Sequence, residues 1–260
     1  MRYQDLKTIA DSVGALHGWD FSRMRTDRDP VPWDYAAIVR GYLRATDHVL
    51  DIATGGGEQF LALASAFERG IGIDIDAGRL LTARANIPTA WRDRISLQVM
   101  DTHNLRFADA TFDVVLNRHA PIAVGEISRV LKPGGYFITQ QVATGNMANL
   151  AMEFGSPLTP RPTQQLPVIG GEFEMQDCRI VAHGMYDVHY FVQDVASLIF
   201  WLKAVCNPDG MNVAETFDIE KHWPVLDRII NRYQTSRGIQ TNERRELLIV
   251  QKRPGSSTPA

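Results

Sequence analysis

The chain has 260 residues, 45% of them hydrophobic and 22% charged, with 27 Lys and Arg against 30 Asp and Glu for a formal charge of −3. That composition fits one globular domain, or one domain with an appendage, and is long enough to bury a sizeable core. Nothing in it suggests a polyanion partner, although a local basic patch could still exist on a mildly acidic protein.

Residues 1–30 are polar with scattered aromatics, Tyr3, Trp19 and Phe21, and end in the charged, turn-rich RTDRDP. Trp33 to Leu43 has the apolar spacing of a helix. The stretch Val49 to Leu63, VLDIATGGGEQFLAL, then runs from an apolar strand through three consecutive glycines into an amphipathic helix. Glycines after a strand let the backbone approach a ligand closely, and the helix that follows offers free N–H groups. A dinucleotide fingerprint would need a third glycine for tight helix–strand packing, and Phe60 stands in its place after Gly55 and Gly57. The Gly-Lys-Ser/Thr ending of a nucleoside triphosphate loop is also missing. A small polar ligand of another kind remains.

The helix continues to Phe67, with Phe60, Leu61, Leu63, Ala64 and Phe67 apolar and Glu58 in the first turn as a structural cap. GIGIDIDAGRLLTARAN follows, a buried strand closing on Asp74 and a helix from about Asp76 to Asn86. An acid at the end of the second strand of an α/β sheet faces the ligand crevice and can accept both ribose hydroxyl protons. Asp74 is therefore assigned to a ribose and Asp76 to capping the helix. Arg94 to Asp101 and residues 111–117, TFDVVLN, give third and fourth strands. In residues 125–142, GEISRVLKPGGYFITQQV, proline blocks the helix and the glycines let the chain reverse into a fifth strand.

Thr144 to Gly171 reads as loop-like after a short helix at Asn146 to Phe154. A long irregular segment beyond the carboxyl end of the fifth strand predicts a lid. A strand at Arg179 to Tyr190, an apolar-faced helix at 194–205, a helix at Ile219 to Tyr233 and a strand at Glu246 to Lys252 complete the pattern, and PGSSTPA is a frayed tail. Helix 194–205 is too short and too poor in basic residues to lie on a membrane. Cys178 and Cys206 have no metal-ligand or redox spacing, so both are expected as buried free thiols. With no signal-like or membrane-spanning run, a cytoplasmic protein without a membrane partner is expected.

Asp51, Ala53, Gly55 and Gly57 resemble motif I of the class I S-adenosylmethionine-dependent methyltransferases, roughly (D/E)-x-G-x-G-x-G, with Ala53 replacing the first glycine. Asp74, Asp101 with the LRFADA loop and FDVV, and LKPGG follow in the family's order, so the resemblance covers residues 47–142. It implies an α/β fold: a Rossmann-like seven-stranded, mostly parallel sheet with helices on both faces and an antiparallel last strand. It also implies S-adenosylmethionine as cofactor, S-adenosylhomocysteine as product, and no metal. Asp101 would accept the exocyclic amine of adenine and Thr102 would contribute a backbone amide, with Ile75 and Asn117 completing the donor set. On this reading residues 1–45 form an N-terminal arm and helix that covers the cofactor, shapes the pocket or simply lies on the surface. Residues 46–252 form the methyltransferase domain, with a lid-like insertion at 144–171 and extra helices in 193–233, and 253–260 a flexible tail.

Methyl transfer from a sulfonium is an in-line displacement on an activated carbon, so alignment and exclusion of water are the main tasks. A base is needed only where the acceptor must lose a proton. Asn117-Arg118-His119-Ala120-Pro121 follows the fourth strand, where the methyl group should lie, and it departs from the NPPY signature of amino-methylating enzymes. His119 is the candidate base, against the plainer role of a hydrogen-bonded structural histidine. Arg118 is the candidate for ordering an acidic substrate, against a surface ion pair. Of Gln140 and Gln141, at most one faces the crevice, and Gln141 is assigned to the substrate pocket. The acceptor is expected to be a small molecule, and the sequence carries no signal for oligomeric state. A ribosomal or transfer RNA methyltransferase is the alternative: the NRHAP-to-LKPGG stretch also resembles large-subunit ribosomal RNA guanine methyltransferases, but their zinc-binding cysteines and a basic composition are missing. A non-catalytic donor-binding protein is the third reading, since fold does not fix function.

Overall fold

The computed structural model describes residues 1–14, 21–156, 158, 165–206 and 215–255. In chain order these form α1 (Tyr3–Ser12), β1 (Thr26–Arg28), α2 (Tyr35–Tyr42), β2 (His48–Ile52), α3 (Glu58–Leu63), β3 (Arg69–Asp74), α4 (Ala77–Asn86), β4 (Ile95–Val99) and β5 (Phe112–Arg118). They continue with α5 (Val124–Val130), β6 (Leu131–Val142), α6 (Ala148–Glu153), α7 (Leu166–Glu174), β7 (Cys178–Val192), α8 (Val195–Val205), α9 (Ile219–Tyr233), β8 (Gln234–Thr235) and β9 (Gly238–Lys252). Two compact units result, one of Pro32–Val142, Arg161–Met185 and Arg245–Ala260, the other of Met1–Val31, Ala143–Pro160 and Tyr186–Arg244.

In the larger unit β4, β3, β2, β5 and β6 pair in parallel in that order. Residues 245–252 of β9 then add antiparallel to β6, from Tyr136↔Gln251 to Val142↔Arg245. Residues 178–185 of β7 follow beside β9, where Arg179 donates to Gln251 and His183 meets Glu246 at 2.8 Å. This is the expected seven-stranded, mostly parallel sheet. Period-two alternation sends Val49, Val114, Leu116, Ile138, Leu247 and Ile249 to one face, against Val39 of α2, Phe60 of α3 and Leu80 of α4. It sends Leu50, Ile52, Val115, Phe137, Leu248 and Val250 to the other, against Ile127 of α5 and Leu166, Ile169 and Phe173 of α7. Burial on both faces is why the strands read as nearly continuous apolar runs.

Local chemistry fixes the element ends. Asp34 caps α2 through the Ala37 amide, and Asp76 caps α4 through the amides of Gly78 and Arg79, as assigned from sequence. In the Lys-Pro-Gly-Gly turn Gly134 has φ 81, and a Cβ on Gly135 would lie 2.8 Å from the Asp113 carbonyl oxygen. Only glycine lets β6 turn so close to β5. The segment expected to be irregular, Thr144 to Gly171, holds the first part of α7, and its residues 157 and 159–164 lie outside the described residues. Gly170 and Gly171 argue against a helix there, yet a Cβ on Gly170 would sit 2.9 Å from Ile180 Cδ1, so the glycine permits close packing.

The smaller unit has its own core, in which Leu6 and Ala10 of α1 meet Leu198 and Leu202 of α8 and Leu226, Ile229 and Ile230 of α9. Residues 1–30 thus hold a helix whose Leu6, Ile9, Ala10 and Val13 recur at helical spacing. Asp194 and Asp218 cap α8 and α9. β1 pairs antiparallel with β7 from Thr26↔Val192 to Arg28↔Tyr190, and Arg28 reaches the buried Glu243 at 2.7 Å. Cys178 and Cys206 are both buried and unbridged. No helix among the described residues is long and apolar enough to cross a membrane.

Candidate functional site

The candidate site lies in the larger unit, at the carboxyl ends of β2, β3, β4 and β5. Beyond β2 the chain enters a turn with three left-handed residues, Ala53 at φ 58, Gly55 at φ 57 and Gly57 at φ 80, the last being the N-cap of α3. The Thr54 amide donates to the Ile73 carbonyl and the Gly57 amide to the Thr54 carbonyl, both at 2.9 Å. Asp74 holds the turn from beneath. Its Oδ2 accepts the Gly55 amide and its Oδ1 the Asp76 amide, each at 2.9 Å, and the residue is only 3% exposed. Each carboxylate oxygen keeps a further lone pair for a ligand.

Ala53 occupies a conformation that costs an L-residue about 1–2 kcal/mol and glycine nothing. This explains why the motif it resembles has glycine there. Ala53→Gly is expected to raise stability by at most about 1 kcal/mol, because glycine's freer unfolded chain offsets part of the relief. Urea unfolding checks this, and a loss of stability would show that the Ala53 methyl group, packed against the core, outweighs the backbone term.

Asp51 stands on β2 just before the turn. Burial pushes its carboxyl up to about 7; the Thr54 hydroxyl lowers it, the Asp74 charge raises it, and Arg118 lowers it. Ile75, directly after Asp74, is 73% exposed. Asp101 is exposed and accepts the His103 amide at 2.9 Å and meets His103 Nδ1 at 3.0 Å, so it shapes its own loop; those bonds hold its carboxyl below the usual value. The neighbouring Thr102 is buried, and its hydroxyl has no hydrogen-bond partner.

Asn117 and Gln141, assigned from sequence to the donor and the acceptor, are joined to each other. Asn117 is fully buried, donates to the Pro121 carbonyl at 2.9 Å and accepts from Gln141 Nε2 at 2.7 Å and from the Thr139 hydroxyl at 3.2 Å. Gln141 Nε2 also reaches the Ala120 carbonyl at 3.2 Å. This network braces the chain beyond β5. Gln140, on the opposite face, accepts from Trp33 Nε1 at 3.0 Å. Tyr35 is buried with its hydroxyl 3.2 Å from the Ile138 carbonyl oxygen, and burial and the nearby Asp51 raise its pKa. Trp33 and Tyr35 were not legible as site residues: they look like any aromatic pair at the start of a helix.

His119 follows β5 with φ 58, its amide donating to the Gln140 carbonyl at 3.0 Å. Its Nε2 is buried with no hydrogen-bond partner, as is Nε of Arg118. Burial, then the charges of Arg118 and Arg245, hold the imidazole pKa well below its ordinary value, so the ring is neutral near pH 7. A neutral imidazole with an open nitrogen can take up a proton.

Residues 50–139 match the model of the methyltransferase domain family. The strand order and the glycine turn agree with that match. Residues 50–139 of this chain carry a methyltransferase domain. It is 36% identical over 117 residues to a demethylmenaquinone methyltransferase of Symbiobacterium thermophilum, covering 41% of this chain and 47% of that protein. It is 32% identical over 139 residues to the ubiquinone/menaquinone biosynthesis C-methyltransferase UbiE of Syntrophotalea carbinolica, covering 49% of this chain and 52% of that protein. The chain thus spans about half the length of the curated relatives it matches. A crystal structure of a candidate methyltransferase from Bacillus halodurans C-125 superposes with a TM-score of 0.60 at 21% identity, over 85% of this chain and 99% of that one, a likeness of fold. The matched part of the methyltransferase domain contains Asp51, the glycine turn, Asp74, Asp101, Arg118 and His119, while Trp33, Tyr35 and Arg245 lie outside it.

Proposed function

We propose that this chain binds S-adenosylmethionine and transfers its methyl group to a small-molecule acceptor. The observation that carries this reading is the glycine turn fastened to Asp74, with Asp51 beside it, at the carboxyl end of the central strands. Bound there, the donor supplies a sulfonium methyl carbon open to in-line displacement. Asp51 offers a carboxylate to a cationic centre of the donor, and the remaining lone pairs of Asp74 suit two ribose hydroxyls. Ile75 offers an exposed apolar face to the adenine, and Asp101 with Thr102 offers acceptors and a donor to its edge. His119 takes a proton at Nε2 where the acceptor must lose one. The relatives named for menaquinone and ubiquinone biosynthesis support a small acceptor, and the net charge of −3 supports it over an RNA.

Calorimetric titration with S-adenosylmethionine and S-adenosylhomocysteine tests the donor, and no binding of either at about 1 mM would remove the reading. The same titration has an expected pH dependence. A cation beside Asp51 favours its charged form, so binding below pH 7 must expel a proton from a carboxyl raised to about 7. Affinity should therefore fall by up to about tenfold per unit as pH drops below 7, and level off above it. In the free protein the same shift has the opposite sense: it favours the fold fully below the ordinary value of 3.8, and that contribution is lost as pH rises through about 7. Flat affinity between pH 5.5 and pH 7 would place the donor's cation elsewhere.

A further inference from the structure

We infer that the outer edge of β4 carries a binding pocket for a small phosphate monoester, distinct from the candidate methyl-transfer site and independent of that reading. The pocket has a volume of about 380 Å³ and is lined by Arg84, Ile87, Arg92, Ile95, Ser96 and Leu97, none of which belongs to the glycine turn or its supports.

β4 is the last strand of the sheet, so one of its two backbone edges has no neighbouring strand. Which groups lie on that edge follows from the ladder. The Gly70 amide donates to the Arg94 carbonyl and the Met100 amide to the Asp74 carbonyl, so the even-numbered residues turn their backbone groups toward β3. In a strand the N–H and C=O of one residue point to the same side, and the side alternates along the chain. Ile95, Leu97 and Val99 therefore direct theirs outward. Two of those carbonyls are already taken: Arg84 Nη2 donates to Leu97 at 3.2 Å and Arg106 Nη2 to Val99 at 3.1 Å. The outward amides of Ile95 and Leu97 have no acceptor among the described residues. A pairing strand needs donors and acceptors in turn, so the covered carbonyls close this edge to one. The amides stay open to an acceptor.

The charge here has the matching sign. Arg84, in the last turn of α4, meets no carboxylate among the described residues, and Arg92 makes no hydrogen bond or ion pair among them. Arg94 commits its guanidinium to the carbonyls of Phe67 and Ala64 at 3.1 and 2.9 Å, so it too keeps its charge without an acid. Against these three stand Asp93, between Arg92 and Arg94, and the carbonyl end of α4, worth about half a negative charge. The balance stays positive, a basic corner on a chain whose formal charge is −3.

The shape selects the kind of anion. Guanidiniums from α4 and from the turn before β4, with two amides from the strand edge, aim donors from different directions. A tetrahedral phosphate with three terminal oxygens matches them better than a planar carboxylate. Beneath lies an aliphatic floor, with Ile87 at 8%, Ile95 at 5% and Leu97 at 9% exposure, against which the organic part of an ester rests.

Phenyl phosphate is the probe, titrated calorimetrically into the full chain beside phenol, the body without the phosphate, and inorganic phosphate, the anion without the body. It should bind at least about tenfold more tightly than phenol and about threefold more tightly than inorganic phosphate. Arg92→Gln should weaken it about three- to tenfold, and Arg84→Gln with Arg92→Gln together by more than about tenfold, since both side chains are exposed and partly screened. Arg92 bonds nothing among the described residues, so Arg92→Gln should unfold in urea like the unaltered protein and carries the test if the double variant does not fold. Sedimentation with phosphatidylcholine vesicles containing phosphatidic acid separates two sources of the same chemistry. Vesicle binding weakened by Arg92→Gln assigns the pocket to a lipid headgroup, and phenyl phosphate binding without vesicle binding assigns it to a free monoester. Phenyl phosphate that binds no more tightly than phenol would overturn the proposal, and so would an affinity that neither variant lowers. RNA retention without phenyl phosphate binding would overturn it as well, and would give these arginines to a phosphodiester backbone. Whether S-adenosylhomocysteine binds decides the methyl-transfer reading and leaves this pocket untouched.

Discussion

Asp74→Ala is expected to lower stability by about 2–6 kcal/mol and to abolish measurable donor binding at micromolar concentrations, because two backbone donors lose their acceptor at once. The range is the sum over two donors at about 1–3 kcal/mol for each unsatisfied group. The Gly55 amide is buried and the Asp76 amide partly so, and both bonds are 2.9 Å. Without Asp74 the glycine turn has nothing to set its distance from β3, so the surface offered to the donor loosens as well. Asp74→Asn separates the effects. It keeps one oxygen for one amide but turns an NH2 toward the other, so it should recover about half of the stability. Urea unfolding and donor calorimetry on both variants check this. A fully stable Asp74→Ala that has merely lost affinity would mean that Asp74 serves the ribose alone and the turn stands without it.

The hold of Asp74 on the glycine turn marks what was readable in the chain and what was not. The place of Asp74 follows from local rules, a buried strand closing on an acid and a helix capped by Asp76, and both elements form as the residues dictate. The bond from Asp74 to the Gly55 amide joins residues 19 apart and arises only when β2 and β3 pair. Asn117 and Gln141 show the same boundary. Alternation separates Gln140 from Gln141 correctly, but it does not say which of the two meets the crevice side. The answer depends on Asn117, Thr139 and Ala120 forming a closed network around Gln141. Helix α7 was hidden for a related reason: Gly170 disfavours a helix locally, and the packing against Ile180 that rewards it is a tertiary contact. Arg245 carries no signal of its own, since it lies in an ordinary strand far from every motif.

His119→Gly should cut turnover by about 10²–10⁴-fold, the usual contribution of a positioned base, where the acceptor's reacting atom carries a proton. Donor affinity should change by less than about twofold, since no donor group is assigned to the ring. Stability should stay level or rise by about 1 kcal/mol, because the wild-type residue combines a φ of 58 with a buried Nε2 that has no partner. Beyond its amide bond to the Gln140 carbonyl no hydrogen bond offsets that strain and that unsatisfied nitrogen, a combination typical of functional sites. His119→Ala removes the ring and keeps the backbone strain, so it should be the less stable of the two variants and equally inactive. Added free imidazole should restore part of the turnover to His119→Gly, which vacates a ring-sized space, and a purely structural histidine would not respond in that way. The pH profile gives an independent reading. With burial, Arg118 and Arg245 all favouring the neutral ring, turnover limited by His119 should not decline around its ordinary pKa of 6.5 as the solution is acidified. Any decline near pH 7 should instead follow Asp51, appear in donor affinity, and vanish at saturating donor. A fall near 6.5 that persists at saturating donor would show an exposed, ordinary imidazole, and the assignment of the base to His119 Nε2 would fail.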